Sequence, residues 1–588
     1  MTADYVMDSL LVAECGSTTT CVSLIDSVGG EFRLVATGRT TSTVEVPWSR
    51  ILIGVREAIR QIEKLTGRML LDGEERLIAP ERDDGSGVDG FVATVNAAVP
   101  LRLAVVGLIR RLSVESLLRA TDSSYVIVEE VVAKDDATSG AGRSGRMDGL
   151  VKGILEDQPD AILIGGGVDG GAVGPVLEVA KDIATALAVG GEHGRVHVIY
   201  AGNRDARQQI AQVLGECSSL HVADNVLPTL ESEDLGSAEE EMDRLYRESK
   251  MARVPGFGEL KAWASAPVLP TAEGFGLVLR YLARLYELDL LAVDVGSATT
   301  HLAGVIGGQY GSTVNAELGI GYGVGDVLEQ ASLERIVRWL PFEMEPREVR
   351  HAILNKALRP MTIPETREEL LLEQAVAREA ISLTLERARK RWLDGGSSRR
   401  PGRLPPLDLI VGRGAVLSSA PRPAEAALVL LDALQPTGVC TLALDQGSLL
   451  PQLGALAYVH PLAAAQLVAR DGFLRLGTAI CVVGTAREGS VALRIKVEYG
   501  DGQRIEVEVP YGALEVIPLM PGRQASIELR PTSHFDVGLG RRGKGATTQV
   551  EGGVVGIIVD ARGRPLTLPA EADQCRTKVQ QWMWEVGL

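Results

Sequence analysis

LLVAECGSTTTCVSLID, residues 10–26, and LLAVDVGSATTHLAGVI, residues 290–306, repeat one pattern in two distant parts of the chain. In each copy an apolar run carries a carboxylate near its end, and the motif x-G-S-x-T-T then leads into a second apolar run. A Gly-Gly pair follows each copy, at residues 29–30 and 307–308, where a tight hairpin turn is expected. One such motif alone is most often a strand that ends in a polar turn, but two copies indicate an internal duplication.

The residue types of the repeat suit the binding of a polyphosphate. Glycine lets the backbone approach an anion without a Cβ clash, and successive N–H groups and hydroxyls can surround phosphate oxygens. The two copies therefore predict two phosphate loops, loop 1 at residues 14–19 and loop 2 at residues 294–299. The predicted phosphate contacts are Gly16, Ser17, Thr18, Thr19, Gly296, Ser297 and Thr299.

Each predicted loop also carries a carboxylate, Glu14 in loop 1 and Asp294 in loop 2. A carboxylate has the wrong charge to contact phosphate, so its presence needs another reason. Mg²⁺ prefers oxygen ligands and bridges phosphates while it keeps several waters, and a carboxylate can also orient an attacking water. Glu14 and Asp294 are therefore the predicted catalytic residues and the predicted Mg²⁺ ligands, with the metal held through water.

A second pair of glycine-rich motifs follows apolar runs, DAILIGGGVDGG at residues 160–171 and LDLIVGRGAVLSS at residues 407–419. Either motif alone is typical of a tight strand-to-helix turn. Glycine at a strand end also lets a flat base or a ribose lie against the backbone. The predicted nucleoside contacts are Gly165, Gly166, Gly167, Gly412 and Gly414.

Length, charge and cysteine content narrow the class of protein. A chain of 588 residues predicts three or four domains, and its net charge of −17 argues against nucleic acid or an anionic membrane as a partner. The six cysteines are scattered and form no C-x-x-C pair, which is typical of reduced thiols. The N-terminus lacks a signal-peptide pattern, and no uncharged apolar run reaches membrane-spanning length. These features predict a cytoplasmic protein.

Strand and helix patterns alternate along most of the chain and predict an α/β fold in three parts. We expect a first lobe at residues 1–270, a second lobe at 271–470 and a β-rich C-terminal domain at 471–588. The acidic segment 231–250 is expected to form a solvated connector helix between the lobes. Asp501-Gly502, flanked by alternating apolar residues, predicts a hairpin in the C-terminal domain.

Taken together, these motifs resemble the ASKHA superfamily of acetate and sugar kinases, Hsp70 and actin. That resemblance implies two RNase H-like lobes that bind ATP and Mg²⁺ between two phosphate hairpins. It also implies that residues 412–415 form an adenosine loop, with residues 165–171 as the counterpart in the first lobe.

Within the superfamily the chain resembles the MutL family associated with glutamate mutase, which is unrelated to the mismatch-repair protein of that name. The likeness covers most of the chain and includes DAILIGGGVDGG, LLAVDVGSATT and GGVVGIIVDARGRPL at residues 552–566. It implies an ATP-dependent chaperone or reactivating factor whose partner is an adenosylcobalamin-dependent mutase. The chain lacks the cobalamin-binding pattern D-x-H-x-x-G and is therefore not expected to be the mutase itself.

Three positions depart from the pattern that the resemblance implies. Glu14 stands where Asp is usual, Cys21 where Lys is common, and His301 where an acidic residue is common. They leave the hydrolysis of ATP open, so the chain is either a slow ATPase or a nucleotide-binding scaffold without catalysis. A small-molecule kinase with Asp169 as its catalytic carboxylate is a further alternative. The sequence identifies neither the partner mutase nor the oligomeric state.

Overall fold

A computed structural model of the chain describes residues 7–139, 158–189, 196–393 and 403–588. The strands are β1 Ser9–Cys15, β2 Thr19–Val28, β3 Glu31–Thr41, β4 Gly90–Val95, β5 Leu101–Gly107, β6 Val126–Ala133, β7 Ala161–Ile164, β8 His197–Tyr200, β9 Ser219–Val222, β10 Leu269–Pro270, β11 Leu290–Val295, β12 Thr300–Ile306, β13 Gln309–Asn315, β14 Leu409–Arg413, β15 Gly438–Leu444, β16 Leu474–Cys481, β17 Val491–Tyr499, β18 Arg504–Pro510, β19 Leu514–Ile517, β20 Gln524–Pro531, β21 Ala546–Glu551 and β22 Gly556–Asp560. The α-helices are α1 Ile51–Thr66, α2 Glu115–Thr121, α3 Gly174–Val189, α4 Arg207–Leu214, α5 Gly236–Ser249, α6 Phe257–Trp263, α7 Thr271–Tyr286, α8 Val324–Ala331, α9 Leu333–Val337, α10 Pro346–Leu358, α11 Arg367–Ala388, α12 Ala415–Ser418, α13 Pro423–Leu434, α14 Leu450–Leu456, α15 Pro461–Arg470 and α16 Ala572–Glu585.

The chain forms two compact units. The first unit comprises Met1–Ala97, Pro255–Ser312 and Glu317–Leu588, and the second comprises Ala98–Val254 and Thr313–Ala316. Most of the second unit therefore comes from the sequence range expected for the first lobe. The division at residues 270 and 470 stays a prediction. Among the described residues, no helix is long and apolar enough to cross a bilayer.

Two sheets of the first unit share one strand order. The first sheet runs β10-β4-β1-β2-β3, and the second sheet begins β13-β12-β11-β14-β15. In both, the strand that carries the repeat pairs antiparallel with the strand after it and parallel with a strand from much later in the chain. Counted from the repeat strand, the order is 3-2-1-4-5 in each sheet, which is the arrangement of RNase H-like lobes. The predicted α/β fold with two duplicated lobes is confirmed.

The predicted hairpins are confirmed in position, and the two copies have the same register. Glu14 lies opposite Cys21 across β1 and β2, and Asp294 lies opposite His301 across β11 and β12. Gly29 and Gly30 have φ of 65° and 86°, and the Gly-Gly turn at 307–308 repeats these positive values. Two consecutive positive φ angles are what a two-residue hairpin turn requires, which explains the glycine pair in each copy.

One hydrophobic cluster joins the first and second sheets. It contains Leu10 from the first sheet, Leu290 from the second, and apolar residues of α7, α14 and α15. Helices α7 and α14 meet at glycines: a Cβ at Gly454 would overlap the carbonyl of Gly274, so the two backbones touch. The two lobes thus share a packed core and do not rely on polar contacts alone.

The C-terminal part contributes to two sheets. Strands β16, β22 and β19 extend the second sheet, while β18-β17-β20-β21 form a separate four-stranded sheet. The predicted Asp501-Gly502 hairpin is confirmed, since it joins β17 to β18 and Gly502 has φ of 86°. The β-rich character of this region is therefore as expected, and its strands also complete the sheet of the second lobe.

The second unit is built on five parallel strands in the order β6-β5-β7-β8-β9. Helices α2 and α5 pack on one face of this sheet, and α3 and α4 pack on the other. Helix α5 corrects one expectation, because residues 231–250 do not form a solvated connector. Its residues Ala238, Met242 and Leu245 lie on one face of the helix and are buried against the sheet, despite the acidic composition of the segment.

A histidine pair makes the second unit sensitive to acid. His197 Nδ1 lies 3.0 Å from His221 Nε2, and Arg244 Nη2 lies 2.7 Å from His221 Nδ1. Burial first, and then the neighbouring charges, lower the pKa of both rings from the usual 6.5. Because the unfolded chain binds these protons more readily, the stabilisation is present above about pH 6.5 and is lost as the pH falls below it.

We expect the urea midpoint to fall between pH 7.5 and 5.5, and to fall less in His221→Gln. An equal fall in both proteins would contradict this account.

Candidate functional site

The two repeat carboxylates converge on one arginine. Arg413, at the end of β14, directs Nη2 to both carboxylate oxygens of Glu14 and Nη1 to Asp294. The three side chains are nearly buried, with 5% exposure for Arg413, 10% for Glu14 and 12% for Asp294. Glu14 belongs to the first sheet and Asp294 to the second, so the two copies of the repeat face each other across this guanidinium.

Asp445 completes the group from the end of β15. Its Oδ2 accepts from Arg413 Nε at 3.1 Å, and its two oxygens accept from the backbone N–H groups of Leu449 at 2.8 Å and Leu450 at 3.2 Å. We call Glu14, Asp294, Arg413 and Asp445 the Arg413 cluster. With every member ionised, three negative charges surround one positive charge.

Burial and charge act in opposite directions within the Arg413 cluster. Burial by itself lowers the pKa of Arg413, but the three carboxylates outweigh it and leave that pKa raised. Burial raises the pKa of Glu14 and of Asp445 more than Arg413 lowers them. The guanidinium therefore stays charged, and it compensates only part of the cost of burying three acids around it.

The turns of loop 1 and loop 2 are alike in detail. The N–H of Gly16 donates to the carbonyl of Thr19 at 2.9 Å, and the N–H of Gly296 donates to the carbonyl of Thr299 at 2.8 Å. A Cβ on Gly16 would lie 2.8 Å from the Thr19 oxygen, and one on Gly296 would lie 3.2 Å from the Thr299 oxygen. A Cβ would therefore clash within the turn at Gly16 and crowd it at Gly296, in addition to any need to approach a phosphate.

The other predicted contacts of loop 1 lie at the surface of the turn. Ser17 and Thr18 are half-buried and Thr19 is exposed. The carbonyl of Thr18 accepts from the N–H of Ser42 at 2.9 Å, which fixes the loop from behind. Hydroxyl and N–H donors at this turn are available to an anion.

Loop 2 rests on a second glycine-rich segment that sequence reasoning missed. The N–H groups of Ile320 and Gly321 donate to the carbonyls of Gly296 at 3.0 Å and Ser297 at 2.8 Å. A Cβ on Gly321 would overlap the Ser297 hydroxyl, which has no hydrogen-bond partner in the described structure. Thr299 stays half-buried at the loop surface. The G-x-G-x-G spacing of residues 319–323 was the available signal.

The predicted adenosine loop lies directly beside loop 2. Gly414 has φ of 101°, and a Cβ there would overlap the backbone of Val295, the residue before Gly296. Gly412 packs against Leu430 and Leu444, where a Cβ would lie 3.0 Å from each side chain. Residues 412–415 therefore touch the strand that carries Asp294, as a shared nucleotide site requires.

Residues 165–167 follow β7 and belong to the second unit. Their expected correspondence with residues 412–415 is wrong, because the register pairs Glu14 with Thr94 just as it pairs Asp294 with Arg413. The counterpart of the adenosine loop is thus the end of β4. That Gly165, Gly166 and Gly167 contact a nucleotide stays a prediction.

Asp169 has a structural environment in the second unit. Its Oδ1 accepts from the N–H of Arg204 at 3.0 Å and from Asn225 Nδ2 at 2.9 Å. Burial raises the pKa of this carboxyl, but those hydrogen bonds and the nearby arginines outweigh it and leave the pKa lowered. Asp169 is therefore an ionised residue that ties together three loops.

Several buried polar atoms around loop 1 lack a hydrogen-bond partner among the described residues. They include the hydroxyls of Thr20 and Thr94, the Oδ1 of Asn96, and both side-chain polar atoms of Gln452. Thr94 is the register partner of Glu14, and Asn96 Oδ1 would lie 3.3 Å from a Cβ on Gly16. Buried polar atoms are normally paired, so Thr94 and Asn96 indicate a place beside loop 1 where water or a polar ligand binds. The Thr20 hydroxyl instead lies toward α1, 3.1 Å from the position of a Cβ on Gly54.

The Arg413 cluster as folded does not fit a divalent cation. Arg413 engages both oxygens of Glu14 and one oxygen of Asp294, which are the donors predicted for Mg²⁺. Within the described ranges, no group of three or more His, Cys, Asp or Glu side chains is arranged to hold a metal ion. Mg²⁺ ligation by Glu14 and Asp294 stays a prediction, and it requires a different arrangement of Arg413.

His301 and Cys21, the two other residues that depart from the expected pattern, carry no positive charge near loop 1 or loop 2. Burial lowers the pKa of His301 to about 4, so the ring is neutral at pH 7, and its Nε2 lies 2.9 Å from the Ser312 hydroxyl. Burial raises the pKa of the Cys21 thiol. Arg413 is therefore the charged donor that directly contacts the repeat carboxylates.

A cavity of about 650 Å³ lies beside the segment that supports loop 2. Its wall includes Ile320, Arg359, and the ion pair of Lys356 Nζ with Glu373 Oε1 at 2.5 Å. This volume is in the range of small-molecule sites. The cavity does not include Gly412 or Gly414, so the predicted adenosine loop forms no part of its wall.

Comparison with known sequences gives one family. The family model described as MutL protein matches residues 10–471. Protein MutL of Clostridium tetanomorphum is 25% identical over 403 residues, which cover 65% of this chain and 79% of the relative.

Solved structures give only loose matches. An acetone carboxylase in its nucleotide-free form has a TM-score of 0.36 at 10% identity, covering 86% of this chain and 81% of its own. The activator of 2-hydroxyisocaproyl-CoA dehydratase from Clostridium difficile, with bound ADPNP, has a TM-score of 0.26 at 10% identity, covering 78% and 97%. At these TM-scores the matches carry no functional argument.

Proposed function

Since this chain belongs to the MutL family, we propose that it is an ATP-binding accessory protein for an adenosylcobalamin-dependent mutase of the glutamate mutase type. In this role it acts as a chaperone or reactivating factor for the mutase. The observation that supports nucleotide binding most strongly is the convergence of Glu14 and Asp294, from two copies of one hairpin, on Arg413. The ATP phosphates are proposed to lie between loop 1 and loop 2.

Donors on both loops support this placement. The Ser17 and Thr18 hydroxyls of loop 1 and the Thr299 hydroxyl of loop 2 lie at half-buried turns. The unpartnered buried atoms of Thr94 and Asn96 add polar groups beside loop 1. Hydroxyls and backbone N–H groups can hold phosphates within a protein of strongly negative net charge.

The adenosine moiety is proposed to contact residues 412–415. Gly414 already allows the backbone of this loop to touch Val295, so a base placed there would adjoin phosphates at Gly296. Mg²⁺, when bound with ATP, would neutralise phosphate charge and polarise the terminal phosphate. Glu14 and Asp294 are proposed to hold its waters, or to orient the attacking water, once they are free of Arg413.

Whether ATP is hydrolysed depends on those two carboxylates. Arg413 holds both oxygens of Glu14 and one oxygen of Asp294, which makes these carboxylates less able to take a proton from water. This favours a slow ATPase or a non-catalytic nucleotide-binding scaffold. A small-molecule kinase has less support, because Asp169 belongs to the second unit and its Oδ1 accepts two hydrogen bonds.

A cytoplasmic location is also proposed. None of the six cysteines, all of which lie in the described residues, forms a disulfide. That fits a reducing compartment.

We predict that ATP with Mg²⁺ changes the affinity of this protein for a co-expressed cobalamin-dependent mutase by tenfold or more. In Asp294→Ala the change should shrink below about threefold, because loop 2 loses its carboxylate and Arg413 loses a partner; a threefold change is about 0.65 kcal/mol. Affinity is measured by biolayer interferometry with and without nucleotide. Asp501→Ala, at the exposed β17–β18 turn, is the control and should respond like the wild type.

If ATP binds tightly but leaves mutase affinity unchanged in the wild type, the accessory role is wrong and a nucleotide-binding protein of another kind remains. If ATP does not bind at all in calorimetry, the nucleotide proposal itself is wrong.

A further inference from the structure

Arg413 belongs to the second sheet and forms an ion pair with Glu14 of the first sheet. Across β11 and β14, Arg413 is the register partner of Asp294, so those two side chains are neighbours within the second sheet. Glu14 comes from β1 in the first sheet and meets the same guanidinium with both of its oxygens. The Glu14–Arg413 ion pair therefore joins the two lobes at the base of both loops.

The geometry also gives a reason for Glu at position 14. Glutamate is one methylene longer than aspartate, and here that length brings the carboxylate to a guanidinium on the other sheet. Cys21, directly across from Glu14, has no charge to offer, since burial raises its thiol pKa. The positive charge beside Glu14 is thus supplied from the second lobe by Arg413.

We propose that Arg413 and a divalent cation compete for Glu14 and Asp294, so that a metal ion can bind this site only when Arg413 is displaced. This inference rests on the proposed function, because that function identifies the metal as the Mg²⁺ that accompanies a bound nucleotide. Displacement of Arg413 would break an ion pair between the first and second sheets, and metal binding would thereby be coupled to the relative position of the lobes.

Two features support competition between Arg413 and a metal ion: the positive charge of the guanidinium, and its occupation of the carboxylate oxygens that a metal would need. A divalent ion that took one oxygen from Glu14 and one from Asp294 would lie close to a guanidinium that already donates to these carboxylates. Two cations at that separation repel strongly in a buried environment. Asp445 offers Arg413 an alternative anchor, because its carboxylate is fixed by Leu449 and Leu450 and pairs with Nε, away from the Glu14 contact.

The test measures Mn²⁺ alone, without nucleotide, by electron paramagnetic resonance and calorimetry on the full chain. Glu14→Asp keeps every charge but shortens the side chain, so its carboxylate should leave Arg413 and become available to metal. We expect Mn²⁺ to bind Glu14→Asp at least tenfold more tightly than the wild type. Arg413→Met, which removes the competitor, should show a larger gain.

Two further variants serve as a backup and a control. Arg413→Lys keeps one positive charge but lacks the planar five-donor fork that holds Glu14, Asp294 and Asp445 together, so it should give an intermediate gain if Arg413→Met fails to fold. Arg33→Met removes an exposed cation on β3, in the same sheet as Glu14 but at the opposite end of the strands, and should leave Mn²⁺ affinity unchanged.

Competition is refuted if Glu14→Asp and Arg413→Lys bind Mn²⁺ no more tightly than the wild type, or if Arg33→Met matches their gain. The proposed function fails separately, through absence of ATP binding in the wild type. The Mn²⁺ ranking of these variants does not depend on that result.

Discussion

An Asp560→Asn variant is expected to lose about 3–5 kcal/mol of unfolding free energy, the cost typical of breaking a buried ion network by removing one partner. Asp560 is fully buried at the end of β22 and accepts from Arg562 Nη2 at 2.8 Å and Arg564 Nη2 at 2.6 Å. Arg562 also donates to Asp432 of α13 at 2.7 Å, and Asp432 accepts from Arg378 of α11 at 2.8 Å. The network therefore ties the C-terminal strand to two helices of the second lobe.

The asparagine would leave two buried guanidiniums without a full counter-charge. Burial raises the pKa of Asp560, but Arg562 and Arg564 outweigh it and leave the pKa well below its usual range, so the native charge is secure at pH 7. Urea unfolding followed by tryptophan fluorescence measures the loss, with Trp582 stacked 4.7 Å from Arg562 as a local probe.

The matched control is Glu508→Gln, which breaks the exposed pair of Glu508 with Arg494 on the four-stranded sheet. Exposed pairs contribute less than about 1 kcal/mol, so this variant should unfold close to the wild type. Equal losses in the two variants would show that the buried network does not anchor the C-terminal strands.

A Gly414→Ala variant is expected to lose about 3 kcal/mol of stability and at least tenfold in ATP affinity. Its φ of 101° is unfavourable for any residue with a Cβ, and the added carbon would overlap the carbonyl of Val295. To relieve that overlap, residues 412–415 must move away from β11, and Arg413 moves with them. The loop that is proposed to bind adenosine then no longer adjoins loop 2.

Thermal unfolding and ATP calorimetry measure the two effects of Gly414→Ala. Gly325→Ala is the control, because this glycine lies in α8 with open space at its Cβ position and an ordinary φ. A helical Gly→Ala change there should be neutral or slightly stabilising. If Gly414→Ala is destabilised but binds ATP with normal affinity, residues 412–415 are not part of the nucleotide site.

The hairpins could be predicted from sequence because their information is local. The carboxylate, the turn glycine and the Gly-Gly pair all lie within one short stretch, and the register of an antiparallel hairpin follows from its turn. Glu14 and Asp294 were found in this way. The duplication predicts that the two carboxylates converge. Only the pairing of strands that are far apart in the chain shows how they meet.

Arg413 was missed because nothing near it in sequence marks its role. It stands between two glycines of a motif that predicts only backbone contacts with a nucleoside. The parallel pairing of β11 with β14 is what places it opposite Asp294. Its contact with Glu14 depends on the meeting of two sheets. Side chains recruited across sheets leave no periodic signal in the sequence.

The two corrections have similar origins. Gly165–Gly167 looked like a first-lobe counterpart because a glycine-rich turn ends many parallel strands, and β7 is one of them. Helix α5 looked solvated because its acidic residues outnumber the few apolar side chains that reach the sheet. Composition over a segment conceals a narrow buried face.

A crystal structure with a non-hydrolysable ATP analogue tests the central claim most directly. We expect the phosphates to contact backbone N–H or hydroxyl groups of both loop 1 and loop 2, between Gly16 and Gly296, with the base against residues 412–415. Phosphates that contact one loop alone, or an analogue bound only at Gly165–Gly167, would contradict it.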